Sequence, residues 1–226
     1  MPDPRNAAPV VVSVFEKEPV DEGTFVRILG EAVSAFEDAG VAYLVIGGVA
    51  GAVYGRPLRT HDIDFFVRPH QAAQALETLE RAGFATHKTA PYWLFKAYQR
   101  GVVIDVIFCS SGDIYLDDEM FRRAGIREFR GVRLRLISPE DLVVLKALAH
   151  SEPTTRYWFD ALGVLARSAI DWEYLLRRSR HGPKRILSLL AYAQSADLTV
   201  PADVMRRLRR LVEEGSVGRP VATAAG

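Results

Sequence analysis

Apolar residues recur along the chain with two different periods, and the change from one to the other divides it. Between Asp21 and Gly40, the residues Phe25, Ile28, Leu29, Ala32, Val33 and Phe36 fall at helical spacing, and Gly40 closes the helix. The short apolar run Ala42 to Ile46 reads as a buried strand that ends on Gly47 and Gly48 and feeds a short helix through Tyr54. Asp62 to Val67 is a second strand, and Pro69 opens a helix that stops at Gly83. Tyr92 to Tyr98 and Val102 to Phe108 form a hairpin around Arg100 and Gly101, with Tyr92, Trp93 and Tyr98 expected in the core. A short helix is expected from Asp113, and Ile126 to Leu136 alternates apolar and basic residues around Gly131 as an edge hairpin.

From Ser138 the period becomes helical throughout. Ser138, Pro139, Glu140 and Asp141 supply an N-cap, a first-turn proline and an acidic first turn, ahead of Leu142, Leu145 and Leu148. Further helices are predicted over Thr155 to Ala166, Asp171 to Arg180, Pro183 to Gln194 and Pro201 to Glu214. The expected organisation is a leader (1–20), a mixed α/β domain (21–137), a C-terminal helical domain (138–214) and a flexible tail (215–226).

Composition narrows the class without naming an activity. The 226 residues are 49% hydrophobic and 25% charged, an ordinary globular balance, and the net charge of +1 gives no bulk attraction to nucleic acid or membrane. A single cysteine, Cys109, excludes an intramolecular disulfide framework and a cysteine zinc cage. The five histidines show no metal spacing. No convincing signal peptide and no apolar run of about 20 residues is present, so a cytoplasmic protein without a membrane partner is expected.

The chemistry concentrates in carboxylates. Asp62 and Asp64 lie two apart on a strand, so both leave one face with Cα atoms about 6.6 Å apart, while Ile63 turns inward. Asp105 interrupts the apolar run Val102 to Phe108, where packing does not justify a charge. If the two strands are neighbours, three carboxylates converge, and an oxygen-only set suits Mg²⁺. Upstream, Gly47 and Gly48 expose backbone N–H groups ahead of a helix, a place for an anion, and Arg59 and Thr60 precede the aspartates. Arg59 can neutralise Asp62, contact phosphate, or both.

The run VIGGVAGAVYGRPLRTHDIDFFV resembles the first motif of the polymerase-β-type nucleotidyltransferase superfamily, and its Gly-Gly, Arg-x-Thr and Asp-x-Asp pattern is similar to that of the AbiEii and MenT toxin branch. The resemblance implies a polymerase-β-like mixed sheet with flanking helices, followed by a C-terminal helical bundle. It implies that Asp62, Asp64 and Asp105 hold magnesium, two ions in all with Mn²⁺ as a substitute, and that Asp105 is also the base for an incoming hydroxyl. Gly47, Gly48, Arg59 and Thr60 would then face the nucleotide. In SPEDLVVLKALAHSEPTTRYWFDAL, Lys146, Arg156 and Asp160 occupy places where relatives carry nucleotide-binding residues, although the second helix lacks the extra charged residues often found after that arginine. Gly48 stands where many nucleotidyltransferases have a serine.

The implied activity is transfer of a nucleotide from an NTP to an acceptor hydroxyl, the 3′ end of tRNA in a toxin of this branch, with a cognate antitoxin as partner. Three basic runs, Arg122 to Arg135, Arg177 to Arg185 and Arg206 to Arg210, are the expected electrostatic footprint for RNA. The alternatives are a protein or antibiotic hydroxyl as acceptor, or a non-catalytic binding or antitoxin module.

Overall fold

The computed structural model describes residues 20–58 and 60–217. The predicted leader up to residue 19, Arg59, and the tail from residue 218 lie outside the described residues.

Helix α1 (Glu22–Asp38) begins where the Asp21 side chain accepts from the Thr24 N–H and ends ahead of Gly40, at φ +65°. It buries the six apolar residues that the period picks out. Strand β1 (Tyr43–Val45), helix α2 (Gly47–Val53), strand β2 (Asp62–Val67) and helix α3 (Ala72–Arg81) follow, with a 3₁₀ turn over Pro69–Gln71 in front of α3. Next come β3 (Ala85–Ala90), β4 (Leu94–Gln99), β5 (Val102–Ile107), α4 (Asp118–Arg123), β6 (Gly125–Phe129) and β7 (Val132–Leu136). The rest of the described chain is helical: α5 (Pro139–Ala149), α6 (Arg156–Arg167), α7 (Trp172–Arg178), α8 (Pro183–Ser195) and α9 (Ala202–Val217).

The seven strands form one mixed sheet in the order β3-β4-β5-β2-β1-β7-β6, with β2/β5 and β1/β7 parallel and the other pairs antiparallel. Strand β2 is anchored on its core side by Ile63, Phe65 and Val67, all fully buried. Phe65 meets Phe36 edge-on at 4.9 Å and Tyr43 at 5.5 Å, so an aromatic cluster from α1 and β1 grips the face of β2 opposite the aspartates. The Tyr43 hydroxyl donates to Glu37 at 3.0 Å, which satisfies its polar end.

Three sequence expectations need correction. Strand β3 was not expected, because its residues Ala-Thr-His-Lys-Thr-Ala carry no apolar alternation; it is an edge strand, largely exposed, held by pairing with β4. The helix placed from Asp113 starts at Asp118, because Asp117 is the residue that accepts the Met120 N–H as N-cap, while Asp113 takes a positive φ of 53° in a turn. Tyr92 is 65% exposed in the turn before β4, and Trp93 and Tyr98 are only half-buried, so none of the three belongs to the core.

The helical half is fastened to the sheet half by a buried polar joint. Arg178 on α7, 2% exposed, places Nε 2.8 Å from Asp141 on α5 and donates from a terminal nitrogen to Asp117 at 2.5 Å. The Tyr174 hydroxyl and the Ser138 hydroxyl both donate to Asp141 Oδ2, at 2.7 and 2.9 Å. Burial pushes the Asp141 carboxyl up, against the pull of Arg178 and these donors. Arg123 covers the Tyr174 ring at 3.9 Å and pairs with Asp171 at 2.8 Å.

Removing one member of such a pair leaves a buried charge with no counter-charge. Arg178→Met should therefore lower the unfolding free energy by about 3–5 kcal/mol. Adding Asp141→Leu to it should restore much of that loss, and urea denaturation of the two variants measures both steps.

Candidate active site

The parallel pairing of β2 with β5 sets Asp64 directly opposite Asp105, with Asp62 two residues earlier on β2 opposite Val103. The antiparallel pairing of β4 with β5 sets Lys96 opposite Asp105. One row of the sheet thus reads Lys96, Asp105, Asp64 across three adjacent strands. The Lys96 ammonium donates to Asp105 Oδ1 at 2.5 Å. The register brings Asp62, Asp64 and Asp105 to one face of neighbouring strands, with a lysine beside them that sequence reasoning missed.

Beyond β2, the Ile46 N–H donates to the Asp64 carbonyl at 3.0 Å, which brings Gly47 and Gly48 alongside the carboxylate. Gly47 has φ +63°, and a Cβ there would run into the Asp64 carboxylate. Glycine is required at this position on both counts. The Gly48 N–H reaches Asp64 as well, so the first turn of α2 holds a protein carboxylate in place. A Cβ on Gly48 would run into the side chain of Thr60, which explains why a serine does not stand there. Thr60 in turn accepts from the Asp62 N–H at 3.2 Å and fixes the start of β2.

Desolvation, then the charges of Asp105 and Asp62, push the Asp64 carboxyl up to about 7 from an ordinary 3.8, while Lys146 and the Gly48 N–H pull the other way. Three carboxylates on neighbouring positions repel, and this site is a place that attracts positive charge. Among the described residues no group of three His, Cys, Asp or Glu side chains stands close enough to hold a metal ion, and Asp105 is paired with Lys96.

The opposite wall comes from the helical half and from the loop after α2. Lys146 on α5, 6% exposed, donates to Asp160 on α6 at 2.9 Å, and Arg56, in the loop after α2, places Nε 3.5 Å from the other Asp160 oxygen. Gly163 on α6 leaves the space that the Arg56 side chain fills. Tyr157 lies under both Lys146, at 5.0 Å from its ring centre, and Arg156, at 5.6 Å. Burial first, then the charges of Asp64, push the Tyr157 phenol up, so this ring belongs to the same cluster. Of the residues expected from α5 and α6, Lys146 and Asp160 pair with one another and Arg156 sits exposed at the rim. Arg56 and Tyr157 were not foreseen.

The basic runs are less available than their sequence suggests. Arg123 pairs with Asp171 and Glu119, Arg130 with Glu22, Arg177 with Glu119, Arg178 with Asp117 and Asp141, and Arg207 with Glu173. Of these arginines Arg178 is buried in its pairs, and the others form ion pairs nearer the surface.

A sequence model of the family described as "Nucleotidyl transferase of unknown function (DUF2204)" matches residues 25–216. The chain belongs to this family. It is accordingly an enzyme of the nucleotidyltransferase type. No curated protein matches the chain. Among solved structures, it is similar to an antigenic nucleotidyltransferase-like protein from Paracoccidioides brasiliensis, at 14% identity over 85% of this chain and 95% of that one, with a TM-score of 0.53. It is also similar to the lincosamide antibiotic adenylyltransferase LnuA, at 18% identity over 67% of this chain and 100% of that one, TM-score 0.47. The antibiotic-resistance factor ANT(2'')-Ia matches at 14% identity over 87% and 95%, TM-score 0.47. At 14% identity the likeness to the Paracoccidioides brasiliensis protein is one of fold alone.

Because Asp64 binds a proton more tightly folded than unfolded, its contribution to stability falls as pH rises from the ordinary value of 3.8 to about 7, and the full penalty stands above that window. In this family member, Asp64→Asn should raise the melting temperature of the metal-free protein at about pH 8 and flatten the wild-type decline between about pH 5 and about pH 8. Gly47→Ala should do the reverse, costing about 1–3 kcal/mol through overpacking against that carboxylate; differential scanning calorimetry reads both.

Proposed function

We propose that this protein is a magnesium-dependent nucleotidyltransferase that joins a nucleotide from an NTP to an acceptor hydroxyl. The observation that carries the reading is the register of β2 on β5, which puts Asp64 against Asp105 with Asp62 on the same face.

The residues fit a hard divalent cation. All donors are carboxylate oxygens, Asp64 is enclosed beside two like charges that raise it, and the absence of a Cβ at Gly47 lets the Asp64 carboxylate take its place there. Asp62 and Asp64 are the residues that would hold the metal, with Asp105 completing the set. When bound, the ion supplies Lewis-acid stabilisation of charge on the phosphoryl oxygens.

The chain's own groups account for the remaining steps. Arg56 and Lys146 share one carboxylate, Asp160, so that wall carries a surplus positive charge facing the aspartates and is suited to the triphosphate. Arg156, at the rim over Tyr157, is placed to meet the nucleotide or the acceptor as it arrives. Asp105 takes the proton of the acceptor hydroxyl. The hydroxyl oxygen forms a bond to the α-phosphorus as the bond to the bridging oxygen breaks, and pyrophosphate leaves with the electron pair. Arg59 lies outside the described residues, and its proposed phosphate contact rests on the sequence pattern alone.

For the acceptor, the resemblance of Leu44 to Val67 to the AbiEii and MenT branch supports the 3′ end of tRNA, and a toxin role with a cognate antitoxin follows from the same resemblance. Exposed arginines that remain on β6, β7 and α9, among them Arg127, Arg133, Arg206 and Arg210, are in keeping with an RNA backbone. A second reading, a protein or antibiotic hydroxyl, is favoured by the ion pairs that engage Arg123, Arg130, Arg177, Arg178 and Arg207.

Incubation with each labelled NTP, Mg²⁺, and total RNA, protein or aminoglycoside and lincosamide acceptors tests the reading. Label should move from NTP to one acceptor class; label on RNA supports the first reading, and label elsewhere the second. Asp62→Ala or Asp64→Ala should remove transfer with the fold retained, and near wild-type turnover in either would sink the metal assignment. Asp105→Asn should lose at least about a hundredfold in kcat with nucleotide binding nearly unchanged, as expected for a missing base.

A further inference from the structure

Lys96 is the one residue in the aspartate row whose charge is positive and whose place is fixed by strand pairing. The hairpin that joins β4 to β5 turns through Arg100 and Gly101, both at positive φ (49° and 82°), and is closed by the Gln99–Val102 pair. From that pair the register runs back without a bulge to Lys96 opposite Asp105. On either side of Lys96, Phe95 and Ala97 are buried on the opposite face of β4, so the backbone at Lys96 cannot turn over without undoing that packing. Its side chain is 28% exposed, its partner's is 16%, and the two are in contact at 2.5 Å. Neighbouring strands are about 4.8 Å apart, so Lys96 stands one strand spacing from Asp105 and Asp64 one spacing on the other side.

We propose that Lys96 supplies, as a fixed ammonium, the positive charge that a second divalent ion would otherwise bring to Asp105, so that the nucleotide-free site takes one ion, on Asp62 and Asp64. This rests on the metal-dependent reading above and departs from the two ions that the sequence resemblance implies. Geometry supports it, since one oxygen of Asp105 is already occupied by a donor at hydrogen-bonding distance. The surplus charge of the Arg56, Lys146 and Asp160 wall further disfavours a second ion in the empty cleft.

The test counts ions in the full-length, nucleotide-free protein by titration with Mn²⁺, reading free Mn²⁺ by electron paramagnetic resonance. The wild type should bind one Mn²⁺ per chain with the spectrum of an isolated ion. Lys96→Met and Lys96→Gln should each bind two, and their bound spectrum should show the splitting of a spin-coupled pair, ions about 3.5–4 Å apart. Lys96→Arg, which keeps the charge, should return the count to one. Urea melts establish that each variant is folded, and the glutamine variant serves if the methionine variant is not. A wild type that binds two coupled ions, or neutral variants that still bind one, overturns the inference and leaves nucleotidyl transfer standing. Absence of Mn²⁺ binding in every protein overturns it together with the metal-dependent reading, and the labelled-NTP assay then reports separately whether transfer itself survives.

Discussion

Two carboxylates are held face to face by strand pairing, and much of the molecule is arranged around the repulsion that results. Asp64 and Asp105 cannot relax apart, because each is embedded in a strand whose other face is core: Ile63 and Phe65 on β2, Ile104 and Val106 on β5, all fully buried. Full burial of a large aliphatic or aromatic side chain contributes about 1.5–3 kcal/mol, so four such anchors outweigh the electrostatic cost of one raised carboxyl. The register is therefore set by the apolar face and imposed on the polar one. The cations follow from this: Lys96 sits beside the pair within the sheet, and Lys146 acts on Asp64 from the helices.

Close packing at the glycines belongs to the same constraint. With Gly47 pressed on Asp64 and Gly48 on Thr60, the start of α2 and the start of β2 lock each other, and Asp62 and Asp64 are held at both ends of their step. The Gly48 N–H, which the pattern assigns to an outside anion, already serves Asp64. On the proposed reading, phosphate recognition then shifts toward side-chain cations such as those of the Arg56–Asp160–Lys146 cluster.

Much of this was legible in the sequence, and the parts that were not share a physical cause. Local signals sufficed for β2, for the glycine turn, for α1 with its Asp21 cap and for α5 with its Ser138 cap, since each depends on residues within a few positions of one another. The Arg100-Gly101 turn was read as a hairpin, and counting back from it would have set Lys96 opposite Asp105, so that residue was within reach of sequence reasoning. Arg56 was not, because its partner lies over a hundred positions away on α6 and only Gly163 makes room for it. The arginine runs misled for the same reason. A cluster of like charges looks like a binding face until its carboxylates arrive from distant segments, as Asp117 and Asp141 do for Arg178. Strand β3 escaped because an exposed edge strand needs no apolar alternation when pairing to β4 alone holds it.

The sheet half presents the aspartates together with Lys96 and Arg56, and the helical half presents Lys146 with Asp160, so the full set of charges is assembled only while the two halves stay docked. The joint that docks them, Arg178 with Asp141 and Asp117, lies on the far end of α5 from Lys146, at its first turn, and fixes that helix at its N-terminus. Because α5 is buried along nearly its whole length, a shift at Asp141 is carried along a rigid rod to Lys146, and through Asp160 to Arg56. Loss of the joint should thus be felt at the cleft as a displaced positive wall, and not only as lost stability. By this logic the helical half is a wall of the active site, and α5 is the element through which packing at Arg178 sets the electrostatics that Asp64 experiences.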